Sequence, residues 1–292
     1  MFRASKAGSG FQLPPSGTCI HKQLPARQGR ILMANTTFKE KLAGGAPILG
    51  TFLQIPAAEL TEIFGFQHFD FGIVDAEHGT LGVNTSIELL RACAASGLAS
   101  VYRVPGVDAH KIGHVLDLGA SAVMVPNIQR QEAAERAVRA AKYYPAGNRG
   151  VCPFTRAAAY NGIDQDPDYY NRSNRETAVI LQIEGIEGVQ NLDQILAVPG
   201  IDGIFIGPFD LSQSLGIPGE VNHARVLEAI EDIVRRAGGK NIAVGIFAVS
   251  VEQVERYVKT GVRFIAYGTD TLIVQRACRD LGKQLQQAAR NR

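Results

Sequence analysis

The sequence predicts a closed (β/α)8 TIM barrel, and three observations predict it. Short apolar runs alternate with helix-period segments along the body of the chain, as parallel βαβ units require. The runs are continuous and rich in Ile, Val and Phe, as strands buried on both faces should be. Nearly every chemically suggestive side chain falls just past the end of such a run, which is where a barrel of this kind gathers its site.

Taken in order, a helix-like segment over 37–44 leads into a first strand at 48–53. Helix 56–65 leads to strand 69–74, helix 83–96 to strand 99–104, and helix 108–118 to strand 121–125. Helix 130–142 is followed by a long connection, 143–177, and then by strand 178–183. Helix 187–197 leads to strand 202–206, which precedes a short turn at 210–215 and helix 222–238. Strand 242–246 precedes helix 250–260, and strand 263–267 precedes the last helix, 271–289. Gly97, Gly119, Gly200 and Gly261 each follow a helical segment, where a left-handed C-terminal cap favours Gly. Eight strands, each followed by helix, is the count of a closed barrel, with an open doubly wound sheet as the competing architecture. The connection 143–177 exceeds a usual αβ loop. It begins on the face away from the strand C-termini, so an interface or stabilising role is expected of it.

Composition narrows the class. The chain has 292 residues, 46% apolar and 20% charged, which suits one α/β domain with a large core. No apolar stretch approaches the roughly 20 residues that span a bilayer, so no membrane partner is expected. Cys19, Cys93, Cys152 and Cys278 are scattered without a C-x-x-C pair. That argues against a zinc site or disulfide framework and fits a reducing, cytoplasmic setting. Residues 1–39 hold six of the 30 Lys and Arg and none of the 28 Asp and Glu, leaving the rest of the chain at −4. An acidic body gives no basic face for nucleic acid.

Residues 1–36, with Gly8-Ser9-Gly10 and Pro14-Pro15, read as a disordered basic extension to a barrel domain over 37–292. Residues 1–32 suit an organellar presequence, an untranslated stretch ahead of Met33, or a flexible tail, the second being favoured. No h-region points to secretion.

The candidate chemistry follows the strand ends. Gln182 and Glu184 lie two apart after the fifth strand and share a side of it, and Asp210 follows the sixth. Two carboxylates one strand apart make a half-site for a hard divalent cation such as Mg²⁺ or Mn²⁺. The bland alternative makes Glu184 an ordinary strand-end residue and Asp210 a helix cap. In Asp75-Ala76-Glu77-His78, a His beside a carboxylate suits a general base. Arg103 is a fixed cation able to stabilise an enolate or bind a carboxylate, against the plainer reading of a salt bridge. The helix openings at Gly207-Pro208-Phe209-Asp210-Leu211-Ser212 and Gly268-Thr269-Asp270-Thr271 offer backbone amides to a substrate carboxylate. No Lys falls at the C-terminal end of a predicted strand, which disfavours a Schiff-base aldolase. Dinucleotide, P-loop and nucleophile-elbow motifs are absent.

Five motifs in order carry a resemblance: Asp75-Ala76-Glu77-His78-Gly79, Arg103-Val104-Pro105, Tyr144-Pro145-Ala146-Gly147-Asn148-Arg149-Gly150-Val151, Gln182-Ile183-Glu184, and Gly203 through Ser212. Over roughly residues 37–285 the chain resembles the HpcH/HpaI aldolase family, in particular its metal-dependent 2-keto-3-deoxy sugar-acid and 4-hydroxy-2-oxo-heptanedioate aldolases. The resemblance implies a pyruvate/phosphoenolpyruvate-type barrel, its last helix exchanged between subunits of a homo-oligomer, a hexamer or trimer. It implies Glu184 and Asp210 as ligands to Mg²⁺ or Mn²⁺, with Co²⁺ also admitted, and pyruvate chelating the same ion. It implies His78, supported by Asp75, as acid/base, Arg103 on the enolate oxygen, and Gln182 positioning pyruvate or water. Amides around Phe209 and Asp210 would take the pyruvate carboxylate, with Pro208 also counted as substrate-binding. Phe209 stands where many relatives carry Ala, Ser or Asn, and Cys152 and Phe154 replace expected small residues, which leaves the aldehyde partner open.

The expected function is therefore a metal-dependent carbon–carbon lyase (aldehyde-lyase) that cleaves a 4-hydroxy-2-oxo acid to pyruvate and an aldehyde. The alternatives are a citrate- or malyl-CoA lyase-like enzyme, an oxaloacetate decarboxylase, and a non-catalytic keto-acid-binding barrel. A CoA enzyme should show a basic patch, which an acidic body does not advertise. A silent barrel should have lost Glu184, Asp210, His78 or Arg103, and all are present.

Overall fold

The structure is a computed structural model that describes residues 37–161, 164 and 166–290. The extension expected at 1–36 lies outside the described residues. A short helix, α1 (Phe38–Ala43), precedes β1 (Ile48–Leu53), α2 (Ala58–Phe66), β2 (Phe71–Asp75), α3 (Val83–Ser96) and β3 (Ala99–Arg103). Then come α4 (Ala109–Asp117), β4 (Ala122–Val125), α5 (Gln131–Ala141), α6 (Tyr169–Glu176), β5 (Ala178–Ile183), α7 (Ile186–Gln190) and α8 (Leu192–Ile195). The chain continues through β6 (Gly203–Ile206), α9 (Pro208–Ser214), α10 (Ala224–Gly238), β7 (Ala243–Ala248), α11 (Val251–Thr260), β8 (Phe264–Thr269) and α12 (Asp270–Arg290).

The eight strands close in sequence order, β1 through β8 and back to β1, and every neighbouring pair is parallel. Closure excludes the open doubly wound sheet. Alternation divides the core in two. Ile48, Phe71, Ile73, Val101, Met124, Ile180, Phe205 and Phe264 fill the barrel interior, while Val74, Tyr102, Val123, Val179, Leu181, Ile204 and Ile265 pack against the helices. Phe38 of α1 plugs the N-terminal end, edge-on to Phe71 at 5.5 Å and Phe264 at 5.3 Å. Thr37 and Glu40 hold that plug in place through a reciprocal capping box. The four glycines expected as helix stops all have positive φ.

Several boundaries differ from the sequence expectation. The connection 143–177 contains α6, an eight-residue helix whose one buried residue is Tyr169. It leaves no apolar stripe for the helical period to reveal. This segment packs as a small aromatic cluster of Tyr143, Tyr169 and Ala158, with Arg149 stacked on Tyr143 at 4.5 Å and paired to Asp117 at 2.6 Å. The segment after β5 is two short helices broken at Asn191 rather than one, and the turn after β6 is the helix α9.

Candidate active site

Strand parity builds the site. Phe71 and Ile73 fill the barrel interior, so Asp75 crowns the same file of β2. Ala99 and Val101 lie beneath Arg103 in β3, and Ala178 and Ile180 lie beneath Gln182 in β5, with Glu184 two residues on. The β2–β3 register then sets Asp75 directly opposite Arg103.

The Asp75 carboxylate is buried and takes a bidentate grip on the guanidinium. Arg103 Nε donates to Oδ1 and Nη2 to Oδ2, both at 2.9 Å. Gln54 Nε2 donates to Oδ2 at 2.8 Å, and the backbone N–H groups of Glu77 and His78 donate to Oδ1 at 3.1 and 3.3 Å. Burial opposes ionisation here, yet the Arg103 bonds and charge, with the smaller contributions of Gln54 and the His78 amide, hold this carboxyl below its usual range. Arg103 Nη1 meets Glu77 Oε2 at 2.9 Å, an ion pair by distance without in-line hydrogen-bond geometry. The guanidinium also lies 4.6 Å over the Phe52 ring. Burial pushes the Glu77 carboxyl up, with Glu184 adding to the effect against the pull of Arg103.

The resemblance implies that Asp75 supports His78, and in the structure that contact runs through the backbone rather than the imidazole. Asp75 reaches His78 through its backbone amide, while the nearest carboxylate to the ring is Glu77, 4.0 Å from Nε2. The imidazole itself is 63% exposed and lines the pocket edge.

Across the barrel, Glu184 Oε1 accepts from the Asn127 backbone N–H at 2.8 Å and Oε2 accepts from Gln182 Nε2. Burial pushes the Glu184 carboxyl up, and the negative charge of Asp210 adds to it. Gln182 Oε1 is buried with no hydrogen-bond partner, an acceptor held free beside the carboxylate. Gly207 makes this packing possible, because a Cβ there would lie 2.7 Å from Glu184 Oε2. Pro208 starts α9, and Asp210 sits exposed in its first turn.

One pocket of about 240 Å³ gathers these groups. His78, Arg103, Gln182, Pro208, Phe209 and Asp210 line it, together with Phe52, Gln54, Phe205, Phe247 and Thr269. Asp75 and Glu184 sit one layer back, each bonded to a lining side chain. Sequence reasoning missed the support given by Gln54 and Asp270. The buried Asp270 carboxylate accepts from the backbone N–H groups of Gln54 and Ile55 at 2.9 and 2.8 Å. Placing strand ends at equal height would have found Gln54, since Leu53 pairs with Val74 and the next residues are Gln54 and Asp75.

Among the described residues, no three His, Cys, Asp or Glu side chains converge as a ready-made metal cage. The oxygen donors present are the Glu184 and Asp210 carboxylates and the free Gln182 Oε1. Such a set fits a hard divalent ion that keeps open positions for water and substrate.

Arg103, His78 and Asp210 line the C-terminal mouth of a parallel eight-stranded barrel, with the Asp75 and Glu184 carboxylates behind them, an arrangement that suits carbon–carbon lyase chemistry on a keto acid. The chain belongs to the HpcH/HpaI aldolase/citrate lyase family, whose profile matches residues 49–277. It is 39% identical over 257 residues to a hydroxypyruvate/pyruvate aldolase of Deinococcus radiodurans, covering 88% of this chain and 92% of that one. It is 37% identical over 248 residues to a 4-hydroxy-2-oxo-heptane-1,7-dioate aldolase of Klebsiella pneumoniae, covering 85% and 92%. Among solved structures, an HpcH/HpaI aldolase/citrate lyase family protein from Burkholderia cenocepacia superposes with a TM-score of 0.80 at 32% identity, covering 85% of this chain and 98% of that one.

Proposed function

We propose that this protein is a class II aldolase that reversibly cleaves a 4-hydroxy-2-oxo acid to pyruvate and an aldehyde. The observation that carries this reading is the pairing of Arg103, pinned by Asp75 and Glu77, with the Gln182–Glu184–Asp210 oxygen set around one pocket. Glu184 and Asp210 would hold a Mg²⁺ or Mn²⁺ ion, which when bound polarises the keto oxygen of the substrate.

The chain's own residues do the rest. His78, exposed at the pocket edge, takes the proton of the 4-hydroxyl group as general base. The C3–C4 bond then breaks, the aldehyde leaves, and the electron pair remains as the enolate of pyruvate. Arg103 stabilises the enolate oxygen, and the Asp75 grip fixes where that charge can form. Backbone amides at Phe209 and Asp210 receive the substrate carboxylate. C3 of the enolate takes up a proton to give pyruvate.

The protein would act as a homo-oligomer, a trimer or hexamer, in the cytoplasm. Supporting this, α12 buries only Asp270 and leaves Leu281 and Leu285 exposed. Cys93, Cys152 and Cys278 are free thiols, as a reducing compartment allows. No helix among the described residues is long and apolar enough to cross a membrane. The test is pyruvate release from a panel of 4-hydroxy-2-oxo acids, with and without EDTA and added Mg²⁺ or Mn²⁺, for the wild type and Glu184→Ala. Release that requires the metal and disappears in the variant is expected. Turnover of oxaloacetate or a CoA thioester, with none of the panel cleaved, would overturn the proposal.

A further inference from the structure

The pocket is two-sided, and the aromatic rings of its second side have no role in the chemistry just described. Phe209 lines it while remaining 44% exposed, its ring edge-on to Phe247 at 6.0 Å and 63°. Phe247 meets Phe52 at 5.6 Å, and Phe52 meets Phe205 at 5.9 Å, so four rings run in contact along the pocket. Edge and face contacts of this kind extend naturally to one more ring.

Charge points the same way. Arg103 is the one Lys or Arg among the described residues lining the pocket, and its guanidinium is already committed to Asp75 and Glu77. A second carboxylate on the aldehyde half would meet no free Lys or Arg among these lining residues, and burying an unpaired anion is costly.

We propose that the aldehyde half of the substrate is neutral and aromatic, seated against Phe209 and Phe247, with Phe209 setting the preference. This rests on the aldolase reading above. The pocket of about 240 Å³ leaves room for a single ring beside the pyruvate unit. In the cleavage, the 4-hydroxyl loses its proton and the C3–C4 electron pair stays on the pyruvate half. C3 is then protonated and an aryl aldehyde departs.

The test compares kcat/KM for 4-hydroxy-2-oxo-4-phenylbutanoate and 4-hydroxy-2-oxoheptane-1,7-dioate in the wild type with Mg²⁺ or Mn²⁺ present. The phenyl substrate should be favoured by about tenfold or more, the scale on which apolar pockets discriminate. Phe209→Ala should cut that ratio by about tenfold, and Phe209→Tyr should preserve it. Preference for the dioate, or a ratio that neither Phe209→Ala nor Phe247→Ala moves, would overturn the proposal. Exchange of pyruvate C3 protons in D2O, run without aldehyde, separates the two claims. Exchange without aryl preference sinks only this inference, whereas no exchange and no pyruvate from either substrate sinks the aldolase reading with it.

Discussion

The two ends of the barrel carry pockets of nearly equal size, each with a buried cation, and they are built on opposite plans. At the C-terminal mouth, Arg103 is gripped by side-chain carboxylates, and Gln182 Oε1 is left free. At the N-terminal end a pocket of about 250 Å³ is lined by Lys39, Lys142, Asn174 and Asp202. There Lys142 Nζ donates to the backbone carbonyls of Asn174 and Thr177, at 2.9 and 2.6 Å, and no carboxylate bonds it. Burial, reinforced by the nearby Lys39 charge, pulls its ammonium down to about 8. That is the kind of lysine a Schiff-base enzyme uses, placed where no strand C-terminus can serve it. Pocket size and a perturbed pKa therefore do not mark the active end. What marks it is polar side chains bonded to one another with capacity left over for a ligand.

The largest expected effect strikes the mouth. Arg103→Ala should lower kcat/KM by about 10²–10³-fold, as loss of an oxyanion donor does. It should also cost about 3–5 kcal/mol in urea unfolding, because Asp75 is left buried without its partner. Lys142→Arg should leave kcat/KM unchanged, and a comparable loss of activity there would break the comparison.

The next effect belongs to the other end and is read in pH. Lys142 titrates near 8 when folded and near 10.5 when unfolded, so between these values the unfolded chain binds more protons. Stability should accordingly rise with pH across that window, by on the order of 2 kcal/mol relative to Lys142→Arg, whose guanidinium does not titrate there. Urea unfolding at intervals from pH 7 to pH 10 measures this, and parallel curves for the two proteins would refute it.

The smallest effect sharpens the boundary of the active end itself. Ser250 also follows a strand, but its hydroxyl serves the first turn of α11, capping it by accepting from the Gln253 N–H. Ser250→Ala should cost about 1 kcal/mol of stability with no change in kcat/KM. A drop in activity would show that the chemistry reaches further round the rim.

The sequence revealed the strands because buried parallel strands are continuous apolar runs, and it placed each within a few residues. It stopped β7 at 246, and so lost Phe247 from the pocket, and it stopped β8 at 267, which put Thr269 in a helix opening rather than in the strand. Small and polar residues such as Gly268 and Thr269 look like loop, and only the pairing of Thr269 with Phe52 across the closure makes them strand. The bidentate pairing of Asp75 with Arg103 escaped the sequence for a related reason. His78 is three residues away along the chain, whereas Arg103 is 28 away and adjacent only through register. Residues that act through neighbouring strands leave no local pattern, and Gln54 and Asp270 are of the same kind.

The Asp270 contact has a consequence for synthesis. Gln54 and Ile55 emerge from the ribosome early, yet the carboxylate that their amides donate to lies 216 and 215 residues further on. Chains fold as they are made, from the N-terminal side. The first strand must therefore wait for nearly the whole chain before its end is fixed, and Gln54 cannot steady Asp75 until then. No nascent fragment ending before β8 carries a finished pocket, so the enzyme stays silent until the barrel can close.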